Sequence, residues 1–193
     1  MKNLIKLAFT IILAAILFTA CSTEDNPIAP VDTGNGGGDP GITMNTPVAM
    51  RLSSIAVTNF PLTKPNGDKW DYSIFPNSPT RRPDIYVGLI ASGTSNHVFR
   101  STVEEDALLE NAYDSYIFTQ PASSDGGTFP YNVPLNKTYI IDLMDDDGLS
   151  ADDWMGNVLV NPSTLYNNDN AEFFTKYLTS GDLRITIKGT WVY

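Results

Sequence analysis

Residues 138–156 read TYIIDLMDDDGLSADDWMG, and the interpretation of the whole chain starts from this stretch. Its first part, 139–144, alternates between two sets of side chains and is rich in β-formers, which predicts a β-strand. Five carboxylates then fall within nine residues: Asp145, Asp146, Asp147, Asp152 and Asp153. Two unit charges about 4 Å apart repel by roughly 4 kcal/mol at an effective dielectric of about 20. A fold that gathers these groups must protonate some, expose them to water, or neutralise them with a cation.

The residue types of this loop favour calcium as that cation. Carboxylate oxygens with no neighbouring His or Cys suit calcium better than zinc or copper. An EF-hand does not fit, because placing Gly148 at position six puts Leu143 and Trp154 at the two ligand positions that end the loop. The alternative is an acidic hairpin tip that is simply solvated.

A different spacing fits without a gap. The pattern is Asp-x-Asp, five residues, a third Asp, and then aromatic-x-Gly, which Asp145, Asp147, Asp153, Trp154 and Gly156 satisfy. This pattern resembles the third calcium loop of C2 domains, which are calcium-dependent membrane-binding β-sandwiches. The segments 83–89 (PDIYVGL) and 111–118 (NAYDSYIF) are similar to two further stretches of that family.

The resemblance implies an all-β fold, an eight-stranded antiparallel Greek-key sandwich with calcium held on loops at one end. By the residues that match, the implied calcium ligands are Asp84, Asp145, Asp147 and Asp153, with one more Asp from the first loop. Asp71 is preferred for that place and Asp68 is the alternative, since Asp68 follows Asn66-Gly67 and can simply complete a turn.

The loops also carry large apolar side chains. Trp70, Phe75 and Leu149 are expected either to face a membrane or another ligand, or to pack against the sandwich.

Composition agrees with an all-β domain of ordinary size. The chain has 193 residues, 11% of them aromatic, with 13 prolines and 14 glycines. We predict three parts: a signal peptide at 1–20, a flexible tether at 21–46 and the sandwich domain at 47–193. Apart from 139–144, the predicted strands are 50–60, 84–91, 98–102, 114–119, 129–135, 157–160 and 183–193. The segment 171–178 (AEFFTKYL) has apolar residues at helical spacing.

The amino terminus has the form of a secretory signal. Lys2 and Lys6 precede an apolar run at 7–18, and a small-residue exit leads to Cys21, the only cysteine of the chain. The sequence LFTAC is similar to the bacterial lipobox, which implies cleavage before Cys21 and its modification by acyl chains such as palmitate. Several acyl chains give stable membrane anchoring where one is marginal. The alternative is an ordinary signal peptide with a chance cysteine.

The tether and the charge bear on location and partners. Residues 22–46 are rich in Gly, Pro, Asp and Thr and show no apolar period, which indicates a flexible linker. Residue 22 is Ser and not the Asp that retains many lipoproteins at the inner membrane. The acidic residues after it resemble signals that export lipoproteins to the cell surface. We therefore expect the protein to lie in the outer membrane and to be exposed at the cell surface. Removing the signal removes Lys2 and Lys6, which leaves 10 basic against 22 acidic residues and a net charge of −12. This balance argues against nucleic acid as a partner.

Two functions follow from these features. The first is a calcium-dependent binding module, anchored by lipid, whose ligand is an anionic lipid, a glycan or a protein. The second is a structural or adhesive surface lipoprotein in which calcium only stabilises the loops. An enzyme is not expected, because His97 is the only histidine and no nucleophile motif is visible.

Overall fold

A computed structural model describes residues 46–71, 82–111, 113–123, 125–148, 151–167 and 171–193. The predicted signal peptide, the lipidation site at Cys21, and the loop residues Phe75 and Leu149 lie outside these ranges. The described part is almost entirely β. Its strands are β1 (Ala49–Asn59), β2 (Ile85–Ala91), β3 (His97–Arg100), β4 (Tyr116–Phe118), β5 (Tyr131–Pro134), β6 (Tyr139–Asp145), β7 (Asp153–Val160), β8 (Phe173–Ser180) and β9 (Leu183–Val192), with one short helix, α1 (Pro162–Leu165).

The strands form two antiparallel sheets. One has the order β3-β2-β6-β7. In the other, the order is β4-β1-β9-β8, and β5 also pairs with β1. Since β9 pairs along one edge of β1, the short strands β4 and β5 share the opposite edge, β4 at Ile55–Val57 and β5 at Ala49–Leu52. The nine strands therefore fill eight positions, and the predicted antiparallel sandwich is confirmed.

The core lies between the inward faces of the two sheets. Strand β9 shows the reason, because buried residues alternate along it with exposed ones. Each large apolar side chain that is fully buried stabilises the fold by about 1.5–3 kcal/mol. The largest of these side chains come from both sheets and include Phe99, Phe118, Met50, Leu52, Leu89, Ile141, Leu143 and Ile187.

Gly189 allows β9 to approach its neighbours closely. A Cβ at this position would lie 1.9 Å from the carbonyl oxygen of Arg51 on β1 and 2.7 Å from Cζ of Phe174 on β8. The ring of Phe174 therefore occupies the space that any side chain at Gly189 would need.

One prediction about an element is wrong. Residues 171–178, with their helical spacing, form most of β8 and not a helix. Strand β8 is the edge of its sheet, so its outer face carries Phe173 and Tyr177 while Phe174 points into the core. Lys176 lies opposite Ile187 on the inward-facing side of the same strand and is half-buried. Among the residues that the structure describes, no helix has the length and apolar character needed to cross a membrane.

Candidate metal centre

The acidic loop lies at one end of the four-stranded sheet, where three strands begin or end. Asp145 is the last residue of β6, and it pairs with Ile85 at the start of β2 and with Asp153 at the start of β7. Asp84 precedes β2 directly, and its backbone N–H donates a 2.8 Å hydrogen bond to Oδ1 of Asp145. Carboxylates from separate loops therefore meet at the same end of the sandwich.

Three of these carboxylates form a compact group. One oxygen each from Asp71, Asp145 and Asp147 lies within 4.8 Å of the others, a spacing at which they can hold a metal ion. Asp71 is carried by the loop after β1, next to Trp70. Trp70 is only 3% exposed, and its Nε1–H donates to the carbonyl oxygen of Pro61 at 2.7 Å. This buried indole holds the backbone next to Asp71 against the sandwich.

Asp145 gives the clearest indication that a positive charge would be favourable at this site. Its side chain is fully buried, and Oδ1 accepts the hydrogen bond from Asp84, but Oδ2 is buried with no hydrogen-bond partner among the described residues. A buried carboxylate oxygen without a partner is costly, because nothing replaces the water that it has lost. A cation held by Asp71, Asp145 and Asp147 would offset this cost, so the three residues can hold a metal ion.

The pKa values of the group have the same cause. Burial, followed by the negative charge of Asp84 and Asp147, raises the pKa of Asp71 to about 6. Burial also raises the pKa of Asp145 to about 7, although the hydrogen bond from Asp84 opposes it. In the absence of a metal ion, a proton is therefore the alternative neutralising charge near neutral pH.

The other predicted ligands lie close to the group but already have partners. Oδ1 of Asp84 accepts a 2.7 Å hydrogen bond from the backbone N–H of Asp106. Asp153 forms an ion pair with Lys64, and this contact raises the pKa of the lysine. Asp68 is exposed and is hydrogen-bonded within its own turn to Asn66, at 2.7 Å from Nδ2. Asp71, and not Asp68, is therefore the member of the group that comes from the first loop.

Trp70 takes the second of the two positions that the sequence left open. Its indole is buried and hydrogen-bonded, so it packs against the sandwich and does not face a membrane.

A second set of contacts was missed by sequence reasoning. The carboxylates of Asp146 and Asp152 both lie near the guanidinium of Arg100, with Nη2 at 3.4 Å and 3.6 Å from their Oδ2 atoms. The Tyr86 hydroxyl donates to Asp152 at 2.6 Å, and the guanidinium lies 4.1 Å from the centre of the Tyr86 ring. Burial and the hydrogen bond to Asp152 raise the pKa of Tyr86.

The repulsion among the carboxylates of the acidic loop is thus relieved by two different cations of the protein. Arg100 neutralises two of its carboxylates and Lys64 neutralises Asp153, so that within the described ranges only Asp145 and Asp147 of this loop remain without a cation. The only sequence pattern that bears on these contacts is strand alternation, which places Tyr86 on the sheet face opposite to Ile85. Nothing in the sequence indicated that Arg100, on a separate strand, would lie beside it.

A cleft of about 400 Å³ lies between the first loop and β7. Its walls are polar and apolar in about equal parts, and Lys64 joins it to the acidic loop through the ion pair with Asp153. It is lined by Pro61, Leu62, Thr63, Lys64, Pro65, Trp70, Trp154, Met155 and Asp182.

Comparison with known proteins gives matches among solved structures. The sequence matches no protein-family model and no curated protein. Human GIVD cytosolic phospholipase A2 has a TM-score of 0.45 and 13% identity, over 75% of this chain and 16% of the phospholipase chain. A C2 domain of plant extended synaptotagmin 1 has a TM-score of 0.39 and 13% identity, over 77% of this chain and 100% of that domain. A structure with two C2 domains of extended synaptotagmin 2 has a TM-score of 0.41 and 12% identity, over 84% of this chain and 49% of that one.

This chain thus spans about one sixth of the length of the phospholipase. With TM-scores below 0.5 and identities of 13% or less, these likenesses carry no conclusion about function.

Proposed function

We propose that this chain is a calcium-dependent binding module, held on the bacterial outer membrane by lipid on Cys21 and exposed at the cell surface. The observation that carries the calcium site is the fully buried Asp145, which belongs to a group with Asp71 and Asp147 and whose Oδ2 has no partner among the described residues. An acidic cluster alone would not support a site. The orphaned oxygen does, because it marks where a cation is needed.

Calcium suits this group better than the other common metals. The three side chains offer only carboxylate oxygens, which are the ligands that calcium prefers, and calcium accepts six to eight of them in flexible geometry. Asp84, whose charge acts on both Asp71 and Asp145, would contribute its second oxygen, and Asp153 would contribute on leaving Lys64. Bound calcium would supply positive charge that attracts an anionic oxygen of the ligand.

The anchor is proposed from the sequence alone. The apolar run before Cys21 and the similarity of LFTAC to the lipobox support lipidation, and residues 22–46 would give the domain freedom to move relative to the membrane. A phosphate, a carboxylate or the acid group of a glycan would fit a calcium ion with an open coordination place. The proposal is for binding and not for catalysis.

Calorimetric titration of the full chain with calcium tests the metal site. We expect saturable binding by the natural protein, and loss of it in Asp145→Asn and Asp147→Asn. Asp68→Asn is the matched control, since it removes an exposed carboxylate of the same loop region that lies outside the group, and it should bind as the natural protein does. Equal binding by all four proteins would remove the site.

A second measurement tests the ligand. Co-sedimentation of the full chain with phosphatidylglycerol vesicles, with calcium and with chelator, should show binding only with calcium if an anionic lipid is the ligand. If the chain binds calcium but not vesicles, a glycan or a protein remains as the ligand. If calcium raises the melting temperature strongly and no ligand binds, the structural function is favoured.

A further inference from the structure

The outer face of the five-stranded sheet has the opposite charge to the rest of the molecule. The chain carries 22 acidic residues, yet strands β1, β4, β5, β8 and β9 contain none. They contain four cations, and three of these, Arg51, Arg184 and Lys188, are exposed. The neighbouring acidic residues Glu172 and Asp182 lie just outside the strands. A sheet of net positive charge thus belongs to a chain of net charge −10.

The strand register places these cations on one face. Lys188 lies opposite Thr175 on β8 and Ser54 on β1, and Arg184 lies opposite Thr179 and Asn59. Arg51 lies on the same outward side of β1, opposite Thr190 on β9. Directly paired residues point to the same side of a sheet, so the cations form a continuous patch across β1 and β9.

Two aromatic rings border the patch on the edge strand. Phe173 is 69% exposed and lies opposite Thr190, and Tyr177 is 79% exposed and lies opposite Thr186. The rings are four residues apart on one strand, a separation of about 13 Å at about 3.3 Å per residue. We name the cationic face by five residues: Arg51, Arg184, Lys188, Phe173 and Tyr177.

The cations of this face are available to a partner. In the described ranges, ion pairs are formed by Lys64 and Arg100 only, and Arg51, Arg184 and Lys188 take part in none. Positive side chains on strands that carry no acidic residue repel one another, so their arrangement is favourable when a polyanion covers them.

We propose that the cationic face binds an acidic polysaccharide, independently of calcium. Its carboxylates would pair with the three cations, and the C–H faces of its sugar rings would pack on Phe173 and Tyr177. The separation of the two rings exceeds one sugar unit, so the fitting partner is a chain and not a monosaccharide. The proposal does not depend on the metal site, whose residues lie in the segment between β1 and β2 and in the segment where β6 leads into β7.

The surface fits a polysaccharide better than a bilayer or a protein core. Threonine hydroxyls surround the rings: Thr175 lies between them on β8, and Thr190 and Thr186 lie opposite Phe173 and Tyr177 on β9. Burying such hydroxyls in hydrocarbon without partners is unfavourable, whereas sugar hydroxyls can pair with them. A hydroxyl-rich face with charges and separated rings is therefore complementary to a hydrated polyanion.

The test is binding of a hyaluronate decasaccharide to the full chain by calorimetry, with chelator present and at low salt. We expect binding that weakens as salt is raised, because salt screens exposed charges. Lys188→Glu and Tyr177→Ala should each weaken it at least about fivefold. Lys137→Glu is the matched control, since it reverses an exposed cation in the turn before β6, and it should change the dissociation constant less than twofold.

Several results would overturn the proposal. One is no hyaluronate binding, and another is binding that Lys188→Glu leaves unchanged. Equal binding of neutral dextran would show that the face does not recognise the negative charge of the polysaccharide. Sedimentation of the full chain with phosphatidylglycerol vesicles in chelator, lost in Lys188→Glu, would assign the face to lipid, and a dimer that Tyr177→Ala dissociates would assign it to a second copy. If the chain does not bind calcium, this proposal still stands, because each of these binding experiments is done without calcium.

Discussion

At the scale of single residues, Asp145 makes stability depend on pH when calcium is absent. The raised pKa values of Asp145, about 7, and Asp71, about 6, exceed the ordinary value of 3.8, so the folded chain holds protons that the unfolded chain releases between about pH 4 and 7. Protonation therefore favours the folded state in this range, and stability falls as the pH rises through it.

We expect the melting temperature in chelator to decrease from pH 4.5 to pH 7.5 through this pair, and saturating calcium to reduce the decrease. Thermal unfolding followed by circular dichroism measures both. In Asp145→Asn the chelator curve should become flatter, while Asp68→Asn should follow the natural protein. An identical slope in Asp145→Asn would show that this carboxyl does not titrate as described.

Lys64 competes with a metal ion for the same charge. Its ammonium pairs with Asp153, and the charges of Asp147 and Asp145 also raise its pKa. Replacing it with a neutral residue of similar length, Lys64→Met, should strengthen calcium binding about threefold to tenfold, because it removes a repelling charge and frees Asp153. Lys69→Met is the control, and equal effects in both variants would indicate only a general change of net charge. Calorimetric titration at fixed ionic strength is the measurement.

At the scale of elements, β9 depends on Gly189 for its place between β1 and β8. Gly189→Ala would set a Cβ 1.9 Å from the Arg51 carbonyl oxygen, so a strand or the Phe174 ring must move. We expect a loss of about 2–4 kcal/mol in the free energy of unfolding, at or above the usual cost of overpacking. Urea denaturation measures it, and Thr179→Ala, at an exposed site of β8, should cost less than about 0.5 kcal/mol. A cost as small for Gly189→Ala would contradict the close packing.

The elements also show how far sequence reasoning reaches. Strands β2 and β6 were predicted to within one residue at each end, because both are short runs rich in β-branched and aromatic residues. Strand β8 was not, since an edge strand with aromatic residues on both faces gives apolar residues at helical spacing as well. The acidic loop was predicted from local spacing, whereas the pairing of its carboxylates with Arg100 and Lys64 depends on contacts between distant segments.

At the scale of the whole molecule, the anchor decides where the domain works. If Cys21 carries acyl chains, Cys21→Ser should move the protein from the membrane fraction to the soluble fraction and abolish labelling by a palmitate analogue. Phase separation in Triton X-114 measures the change. Replacing Ser22 with Ala is the control, and it should leave the protein in the detergent phase. A Cys21→Ser variant that stays in the detergent phase would show that lipid on this residue is not the anchor.

The position of Lys176 has a consequence for the behaviour of the molecule in concentrated solution. It is a charged residue on the inward-facing side of β8, the long strand that forms one border of its sheet. Unpaired backbone groups along such a border are a template on which strands of other copies can add. A second strand docking there would have to bury this ammonium, and the cost discourages fibre-like growth. One lysine thus protects an edge strand whose aromatic side chains would otherwise promote self-association.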